Sequence, residues 1–239
     1  MTTILFTGGS GLLGSEFKKQ YPSALYPTHK ELDVTDKDSI ETYFKLHSFS
    51  TVVHLAAFIS PPKINENPRL ALKTNICGSA YVVDACIRHS KKLVYLSTDY
   101  VFSGKKGNYK EEDAIFPVNK YAWSKLGGEC AVRLSDNYLI IRTSFGPNVF
   151  PHEKAFIDQW TSRETVSVIA KKVGMLINKN ATGVFHVGGK KRSVFDYATE
   201  KKRKVSIQKA SIKDVPFLLP TDTSLNTNKY KKFIKNGKI

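Results

Sequence analysis

The chain has 239 residues, 41% of them hydrophobic, which is enough for one large domain or for a domain with a small appended lobe. Its 37 basic and 21 acidic residues give a net charge of +16, but no stacking aromatics, helix-turn-helix or finger pattern accompany that charge, so we do not expect nucleic acid as a partner. No apolar run reaches the length of a membrane span and the three cysteines lack CxxC spacing, so we expect a cytoplasmic chain without membrane span, metal site or disulfide framework.

The first predicted element is a strand over Thr3–Thr7, followed by the glycine-rich turn GGSGLLG and a helix over Leu12–Gln20. Gly8 permits a tight turn, Gly11 lets the backbone approach a pyrophosphate, and Gly14 lets the helix pack against the strand. The helix then directs its dipole and free N–H groups at the anion. A glycine-rich turn without a ligand is the other interpretation, but the position between strand and helix favours a dinucleotide site.

A short second strand is predicted around Ala24–Tyr26, and the loop after it indicates which dinucleotide binds. An acidic residue there would accept hydrogen bonds from the adenosine ribose and repel a 2′-phosphate. The loop instead reads Thr28, His29, Lys30, with the first carboxylate at Glu31. We therefore expect NADPH, with NADH as the alternative if this is an ordinary polar loop.

Alternating helices and strands follow. They are a helix for which Thr35 and Asp38 could form a capping box, a strand over Thr51–Leu55, a helix from Pro68 to about His89, a strand over Leu93–Leu96, a helix over Val118–Leu134 and a strand over Tyr138–Arg142. Strands separated by helices imply parallel βαβ units with right-handed crossovers. The expected fold is α/β, a Rossmann-like doubly wound parallel sheet.

After Arg142 the pattern loosens. We expect a helix that starts with a Thr161 and Glu164 capping box and reaches Asn178, a strand through ATGVFHVGG that buries His186 as a packing residue, and a helix from Ser193 to about Lys201. Without a low-complexity linker, residues 145–239 should form a small substrate-binding lobe packed on an NAD(P)-binding Rossmann domain of residues 1–144.

Much of the positive charge lies in the last quarter of the chain. The residues concerned are Lys190, Lys191, Arg192, Lys201, Lys202, Arg203, Lys204, Lys229, Lys231, Lys232, Lys235 and Lys238. We interpret them as a solvated surface. The functional alternative is that some of them line a pocket for a doubly charged nucleotide substrate.

Tyr121 and Lys125 lie four residues apart on one predicted helix, so their side chains share a face. A phenol with a pKa of about 10 is a poor acid at neutral pH, and a neighbouring ammonium corrects this by lowering the pKa. Ser97, Thr98 and Asp99 lie at the end of the preceding buried strand. The combination predicts a proton-donating site beside the dinucleotide.

The chain resembles the extended short-chain dehydrogenase/reductase superfamily, and within it the dTDP-4-dehydrorhamnose reductase family. The similar segments are TGGSGLLG, ELDVTD, VVHLAA, the TN and G of KTNICG, LVYLSTDYVFSG, PVNKYAWSKLGGE and IIRTS, with TGVFHVGG and LPTDTSLNT toward the end. The resemblance implies an NADPH-preferring reductase of a nucleotide-linked 4-keto-6-deoxy sugar.

The resemblance also implies the catalytic roles. Tyr121 would donate a proton to the carbonyl oxygen, while Lys125 would hold the nicotinamide ribose and lower the pKa of Tyr121. Thr98 would hydrogen-bond the reacting oxygen, with Ser97 as its stand-in. The structural alternatives are that Thr98 and Ser97 cap a strand end and that Tyr121 is a partly buried aromatic.

The binding residues follow from the same resemblance. The cofactor would contact Gly8, Ser10, Gly11, Leu12, Leu13, Gly14, His29, Lys30, Asp33, Val34, Leu55, Ala56 and Ala57, besides Tyr121 and Lys125. The substrate would contact Thr98, Asp99, Phe145 and Arg163. Asn75 is expected to be a structural tie near the site. The segment from Phe145 to Trp160 is shorter than is usual in the family, so the pocket is expected to be altered.

Neighbouring chemistries are less well matched. Sugar dehydratases of the superfamily have Asp followed by Glu where this chain has Asp99 and Tyr100, and the epimerase-reductases that make GDP-fucose have a cysteine in place of Asp99. Two alternatives stay open: a nucleotide-sugar epimerase, and a cofactor-binding regulatory or scaffold protein, as one relative is for methionine adenosyltransferase. A homodimer is compatible with the sequence.

Overall fold

The computed structural model describes residues 3–201 and 206–236, so Lys202, Arg203, Lys204 and Lys238 lie outside the described residues. The strands are β1 (Ile4–Thr7), β2 (Thr51–His54), β3 (Lys92–Leu96), β4 (Tyr138–Thr143), β5 (Phe145–Gly146), β6 (Lys154–Phe156), β7 (Trp160–Thr161), β8 (Glu164–Thr165), β9 (Gly183–Val187), β10 (Arg192–Ser193) and β11 (Gln208–Ala210). The α-helices are α1 (Leu12–Gln20), α2 (Lys37–Leu46), α3 (Pro61–Glu66), α4 (Pro68–Ala71), α5 (Ser79–Arg88), α6 (Lys120–Val132), α7 (Val166–Asn178), α8 (Val194–Lys201) and α9 (Asn228–Asn236). None of these helices is long and apolar enough to cross a membrane.

Five parallel strands form the central sheet in the order β1-β2-β3-β4-β9, so the predicted α/β parallel sheet is confirmed. The predicted second strand is reduced to one bridge, between Leu5 and Leu25, on the side of β1 away from β2. After β1 the chain therefore runs along one edge of that strand, at Leu25, and then crosses to the opposite edge, where β2 pairs with β1. This change of direction opens a crevice at the carboxyl ends of β1 and β2, where α/β sheets bind ligands.

Helices cover both faces of the sheet because successive strand residues point to opposite faces. On one face Leu5, Val52, Leu93 and Ile140 pack with α2 and α5. On the other face the next residues along each strand pack with α1, α7 and α9: Phe6, Val53, Val94 and Ile141. Strands buried on both sides read as continuous apolar runs, which is why the periodicity of the sequence located them.

Part of the segment after residue 144 belongs to the central sheet. Strand β9 pairs with β4, and α7 packs on the same face as α1. A smaller cluster around Phe150 and Tyr197 lies beside the pairs β6–β11 and β7–β10. The division at residue 144 therefore stays a prediction, although the sheet takes its fifth strand from the part we assigned to the lobe.

Two predicted helix starts were wrong by one or more residues. Helix α2 is capped by Asp36, which accepts hydrogen bonds from the backbone of Asp38 and Ser39, whereas Thr35 donates to Asp33. Helix α7 begins after Thr165 and lacks a side-chain cap bond. The Thr161 and Glu164 box is absent because both residues lie in short strands.

The predicted helix from Pro68 to His89 exists, but a π-helical segment over Leu72–Gly78 connects α4 to α5. Such segments are rare and frequent at functional sites. This one contains Asn75, whose amide donates to the Phe58 carbonyl at 2.9 Å and to Ser124 Oγ at 2.8 Å. The expected tie between the loop after β2 and helix α6 is therefore present.

Three of the described late cations form local ion pairs. Lys191 pairs with Asp222, while Arg192 and Lys201 both pair with Glu200. None of the described members of this group lines the large cavity described below. The alternative that they form a pocket for a nucleotide substrate is not supported by the described residues.

Candidate functional site

A cavity of about 650 Å³ lies at the carboxyl ends of β1 to β4. Every predicted site residue lines it except Lys30, so the glycine turn and the Thr98, Tyr121 and Lys125 side chains share one cavity. Ser97, the expected stand-in for Thr98, also lines it, together with residues that we did not assign to the site: Thr35, Ile59, Pro61, Thr74, Leu96, Tyr100, Thr143, Ser144, Gly146 and Pro147.

The glycine turn leaves no room for side chains. Gly8 has φ of +70°, and a Cβ atom there would lie 2.7 Å from the Ala56 nitrogen. A Cβ atom at Gly14 would lie 2.6 Å from the Gly9 Cα. Gly11 precedes α1 without a side-chain cap, so the first N–H groups of the helix are available to an anion, as a dinucleotide cradle requires.

Ser97 and Thr98 have different surroundings. Ser97 Oγ donates a hydrogen bond of 2.9 Å to Glu129 Oε2, and Glu129 forms a fully buried ion pair with Arg142 at 2.5 Å. The Thr98 hydroxyl instead donates to Asp99 Oδ1 at 3.2 Å and accepts from the Tyr100 N–H, and it is near enough to the Tyr121 hydroxyl to act on its pKa. Thr98 is thus the better placed of the two to contact a reacting oxygen.

Asp99 is a buried carboxylate held by hydroxyl groups. It accepts hydrogen bonds from Thr98 (3.2 Å), Thr161 (3.3 Å) and Thr223 (2.6 Å). Burial raises the pKa of Asp99 to about 6. The sequence did not predict a role for Thr161 and Thr223, since nothing in the local sequence around Asp99 indicates contacts with residues so distant in the chain.

The pKa values of Tyr121 and Lys125 are set mainly by burial. Burial raises the pKa of Tyr121 above its ordinary value, although the nearby Thr98 hydroxyl acts in the opposite direction. Burial lowers the pKa of Lys125 to about 7, opposed by the charge of Glu129. Lys125 is not among the groups that shift the pKa of Tyr121 here, so the expectation that it lowers that pKa stays a prediction.

The adenosine end of the cavity contains His29 and Asp33, whose side chains are 3.6 Å apart. Lys30 is exposed and does not line the cavity. Glu31 accepts two hydrogen bonds from Thr28 and is likewise absent from the lining. Of the two side chains predicted to favour a 2′-phosphate, His29 lines the cavity.

The opposite end contains Phe145 and Arg163, as predicted. Gln159 is buried and donates to the Tyr100 hydroxyl at 2.9 Å, so it supports the wall of the cavity without lining it. His186 is a packed residue: burial lowers its pKa to about 3, and its Nδ1 lies 2.9 Å from the Tyr109 carbonyl oxygen. In residues 3–201 and 206–236 no cluster of His, Cys, Asp or Glu is arranged to hold a metal ion.

Comparison with known proteins adds to this geometry. The family model of the RmlD substrate binding domain matches residues 1–224. The dTDP-4-dehydrorhamnose reductase of Aggregatibacter actinomycetemcomitans is 32% identical over 183 residues, which are 73% of this chain and 62% of that protein. Methionine adenosyltransferase 2 subunit beta of Rattus norvegicus is 24% identical over 225 residues, which are 78% of this chain and 66% of that protein.

Solved structures with the same fold cover nearly the whole chain. A dTDP-4-dehydrorhamnose reductase from Clostridium acetobutylicum superimposes with a TM-score of 0.89 at 26% identity and covers 98% of this chain and 93% of that one. The Bacillus anthracis dTDP-4-dehydrorhamnose reductase, solved in complex with NADP, superimposes with a TM-score of 0.87 at 24% identity, covering 100% of this chain and 94% of that one.

Proposed function

The chain belongs to the RmlD substrate binding domain family, and from that premise we propose that it is an NADPH-preferring reductase of a nucleotide-linked 4-keto-6-deoxy sugar. One observation carries the proposal. A single cavity joins the glycine cradle to Thr98, Tyr121 and Lys125, so a dinucleotide on the cradle would reach the three side chains that a carbonyl reduction needs.

The cradle fits a dinucleotide because side chains are missing where phosphates would lie. Gly8 and Gly14 exclude a Cβ atom, and the uncapped start of α1 presents backbone N–H groups. A bound NADPH would supply a hydride to the carbonyl carbon. His29 at the adenosine end supports NADPH over NADH, since a 2′-phosphate is bound better by an imidazole than by a carboxylate.

The chain's own residues supply the proton. The Tyr121 hydroxyl donates its proton to the carbonyl oxygen, so the ketone becomes a hydroxyl group. The raised pKa keeps the phenol protonated at neutral pH, and although it makes the phenol a weaker acid, the alkoxide left by hydride transfer is a stronger base and takes the proton. Lys125, with a pKa of about 7, can return a proton to the phenolate. Thr98, which lines the same cavity, would hydrogen-bond the carbonyl oxygen.

The test is a spectrophotometric assay. Pure protein is mixed with NADPH and a panel of 4-keto-6-deoxy sugar nucleotides, and loss of reduced-nicotinamide absorbance is followed. Steady turnover with one of these sugars supports the reductase. Sugar isomerisation without net oxidation of NADPH would instead indicate an epimerase.

A second candidate is a cofactor-binding regulatory protein. The similarity to methionine adenosyltransferase 2 subunit beta, which extends over 78% of this chain, favours it. On this view the protein binds the dinucleotide in the cavity but does not convert a sugar. Tight NADPH binding with no oxidation across the whole panel would support this candidate over the reductase.

A further inference from the structure

The Tyr95 side chain contacts both ends of Lys125. Its hydroxyl donates a hydrogen bond of 3.0 Å to the Lys125 carbonyl oxygen, and the Lys125 amine lies over its ring, 4.3 Å from the ring centre. One side chain therefore meets the backbone and the amine of the same residue. These two contacts fix the amine relative to the helix that carries it.

Tyr95 is itself fixed by the elements around it. It lies in β3, whose residues point alternately to the two faces of the sheet, and it is completely buried on the face that α2 and α5 cover. A Cβ atom at Gly128 would collide with the Tyr95 hydroxyl, so a glycine in α6 lets the ring approach the helix. The His54 ring lies 5.9 Å from the Tyr95 ring and is held between Thr7 and Ser79 by hydrogen bonds of 2.7 Å and 3.1 Å. The aromatic ring is therefore in place before any ligand binds.

The Lys125 amine lines the cavity, and within the described residues it forms no ion pair or hydrogen bond. Glu129, whose charge acts on Lys125, is already paired with Arg142 and Arg133. The negative face of an aromatic ring attracts an ammonium, most strongly where water is excluded. Unlike a carboxylate, the ring cannot take a proton from the amine, so the donors of the amine stay available to a ligand in the cavity.

The charge of Lys125 is finely balanced at neutral pH, because burial lowers its pKa to about 7 while the charge of Glu129 opposes this. The titratable groups that act on Lys125, on Tyr95 or on Tyr121 are Glu129, His54, Tyr100, Tyr121, Cys130 and Asp99. His54 stays neutral, since burial and the charge of Lys125 lower its pKa to about 3. Tyr121 is neutral as well, since burial raises its pKa. A change in the attraction from the Tyr95 ring should therefore change the charged fraction of Lys125.

We propose that Tyr95 is a positioning residue for Lys125, whose amine its ring holds in place and supports in the charged form. Tyr95 does not line the cavity, so it acts on a ligand through Lys125. The consequence for catalysis rests on the proposed function. In the reductase, the charged amine would hold the nicotinamide ribose and return a proton to the Tyr121 phenolate.

Fluorination of the ring tests this electrostatic support while a ring stays in the core. Fluorine withdraws electron density from the ring face, so pentafluorophenylalanine in place of Tyr95 removes the attraction for an ammonium, and Tyr95→Phe is the unfluorinated reference. In protein with isotope-labelled lysine ε-carbons, NMR titration gives the acid dissociation constant of Lys125, whose signal is identified by its absence from Lys125→Met. We expect the fluorinated ring to raise this constant by about tenfold over Tyr95→Phe, since contacts between cations and rings are strongest where water is excluded.

Three further proteins separate this effect from disturbed packing. Pentafluorophenylalanine in place of Phe17, a buried ring on the opposite face of the sheet, should leave the dissociation constant of Lys125 within about twofold of wild type. Tyr95→Phe should stay within about threefold of wild type, because the ring that meets the amine remains. A monofluorinated phenylalanine in place of Tyr95 should give a smaller increase in the same direction, and it keeps the test available if the pentafluorinated protein folds poorly.

Equal dissociation constants of Lys125 with the plain and the fluorinated rings would overturn the role of Tyr95, and this result is independent of turnover. If the protein reduces a keto sugar, turnover should fall at alkaline pH as Lys125 loses its proton, and the pentafluorinated ring should move that fall to lower pH by about one pH unit. A pH profile that does not follow the NMR titration would contradict a role of Tyr95 in the reaction. A changed NMR titration without oxidation of NADPH by any keto sugar would keep the support of Lys125 by Tyr95 and reject the reductase.

Discussion

The carboxylate of Glu129 and the guanidinium of Arg142 form an ion pair at 2.5 Å, and both side chains are completely buried. Replacing Arg142 with Met leaves the Glu129 carboxylate in the core without its main partner. We expect the free energy of unfolding to fall by about 3–5 kcal/mol. Because the unpaired carboxylate then favours its protonated form, the loss should shrink as the pH falls from 8 to 5.

Urea denaturation at both pH values measures this effect. Arg133→Met is the matched control, since Arg133 also contacts Glu129, at 3.2 Å, but is 41% exposed. The control should cost less than about 1 kcal/mol. Similar losses of unfolding free energy in the two variants would mean that the buried pair contributes no more to stability than the contact with the exposed Arg133.

The pKa of Asp99, raised by burial to about 6, predicts a pH dependence of stability. The folded protein holds this proton more tightly than the unfolded chain, so the contribution of Asp99 is complete below pH 4 and is lost as the pH rises through 6. Asp99→Asn removes the titration. From pH 4 to pH 8 the unfolding free energy of the variant should gain roughly 3 kcal/mol relative to wild type.

The measurement is the difference between variant and wild-type denaturation curves over that pH range. The exposed Asn137→Ser, which removes no titratable group, serves as the control and should show a flat difference. A flat difference for Asp99→Asn as well would show that the carboxylate is not buried as described.

Gly8 and Gly183 allow conformational strain to be separated from steric collision. Both have positive φ, +70° and +84°, but a Cβ atom would collide with Ala56 at Gly8 and meet nothing within 4 Å at Gly183. Gly183→Ala should therefore cost about 1 kcal/mol of stability and leave NADPH affinity intact. Gly8→Ala should cost more and abolish NADPH binding, measured by fluorescence titration. Retained binding by Gly8→Ala would contradict the cradle.

Tyr121→Phe tests the proton donor of the proposed reductase. The variant keeps the aromatic ring and loses the hydroxyl group. Turnover should fall by about 10²–10⁴-fold, whereas the affinity for NADPH should stay within about twofold, because general-acid catalysis alone is removed. Trp123→Phe, an exposed aromatic on the same helix, is the control and should turn over normally. Unchanged turnover in Tyr121→Phe would reject Tyr121 as the donor.

His29 and Lys30 make different predictions about cofactor preference. His29 lines the cavity and Lys30 does not. His29→Ala should therefore reduce the ratio of NADPH to NADH affinity by about 3- to 10-fold, the effect of one exposed polar contact to a phosphate, while Lys30→Ala leaves it nearly unchanged. Parallel titrations measure the ratio for each variant. A reduced ratio for Lys30→Ala with an unchanged ratio for His29→Ala would mean that the lysine is the side chain that meets the phosphate.

The sequence predicted the elements whose signals are local. The glycine turn, helix α1 and the buried strands follow from residue type and periodicity, and the spacing of Tyr121 and Lys125 determines that they share a face. The resemblance then indicated which cavity they would line. The prediction of a second strand was wrong because three apolar residues can pair through a single bridge without forming a strand.

The parts that were missed depend on contacts between distant residues. The π-helical segment around Asn75 and the hydroxyl groups of Thr161 and Thr223 around Asp99 have no local signature. The burial that lowers the pKa of Lys125 is likewise decided by the whole fold. The contact between the Lys125 amine and the Tyr95 ring is visible in three dimensions alone.

The hydrogen bond from Thr223 to Asp99 joins residues 124 positions apart. During synthesis on a ribosome, the five sheet strands emerge before the segment that secures Asp99. The nascent protein would thus pass through a stage with a complete sheet and an unfinished candidate site. That stage also lacks α9, whose Tyr230 and Phe233 cover one face of the sheet, so the last segment completes the core and the surroundings of Asp99 together.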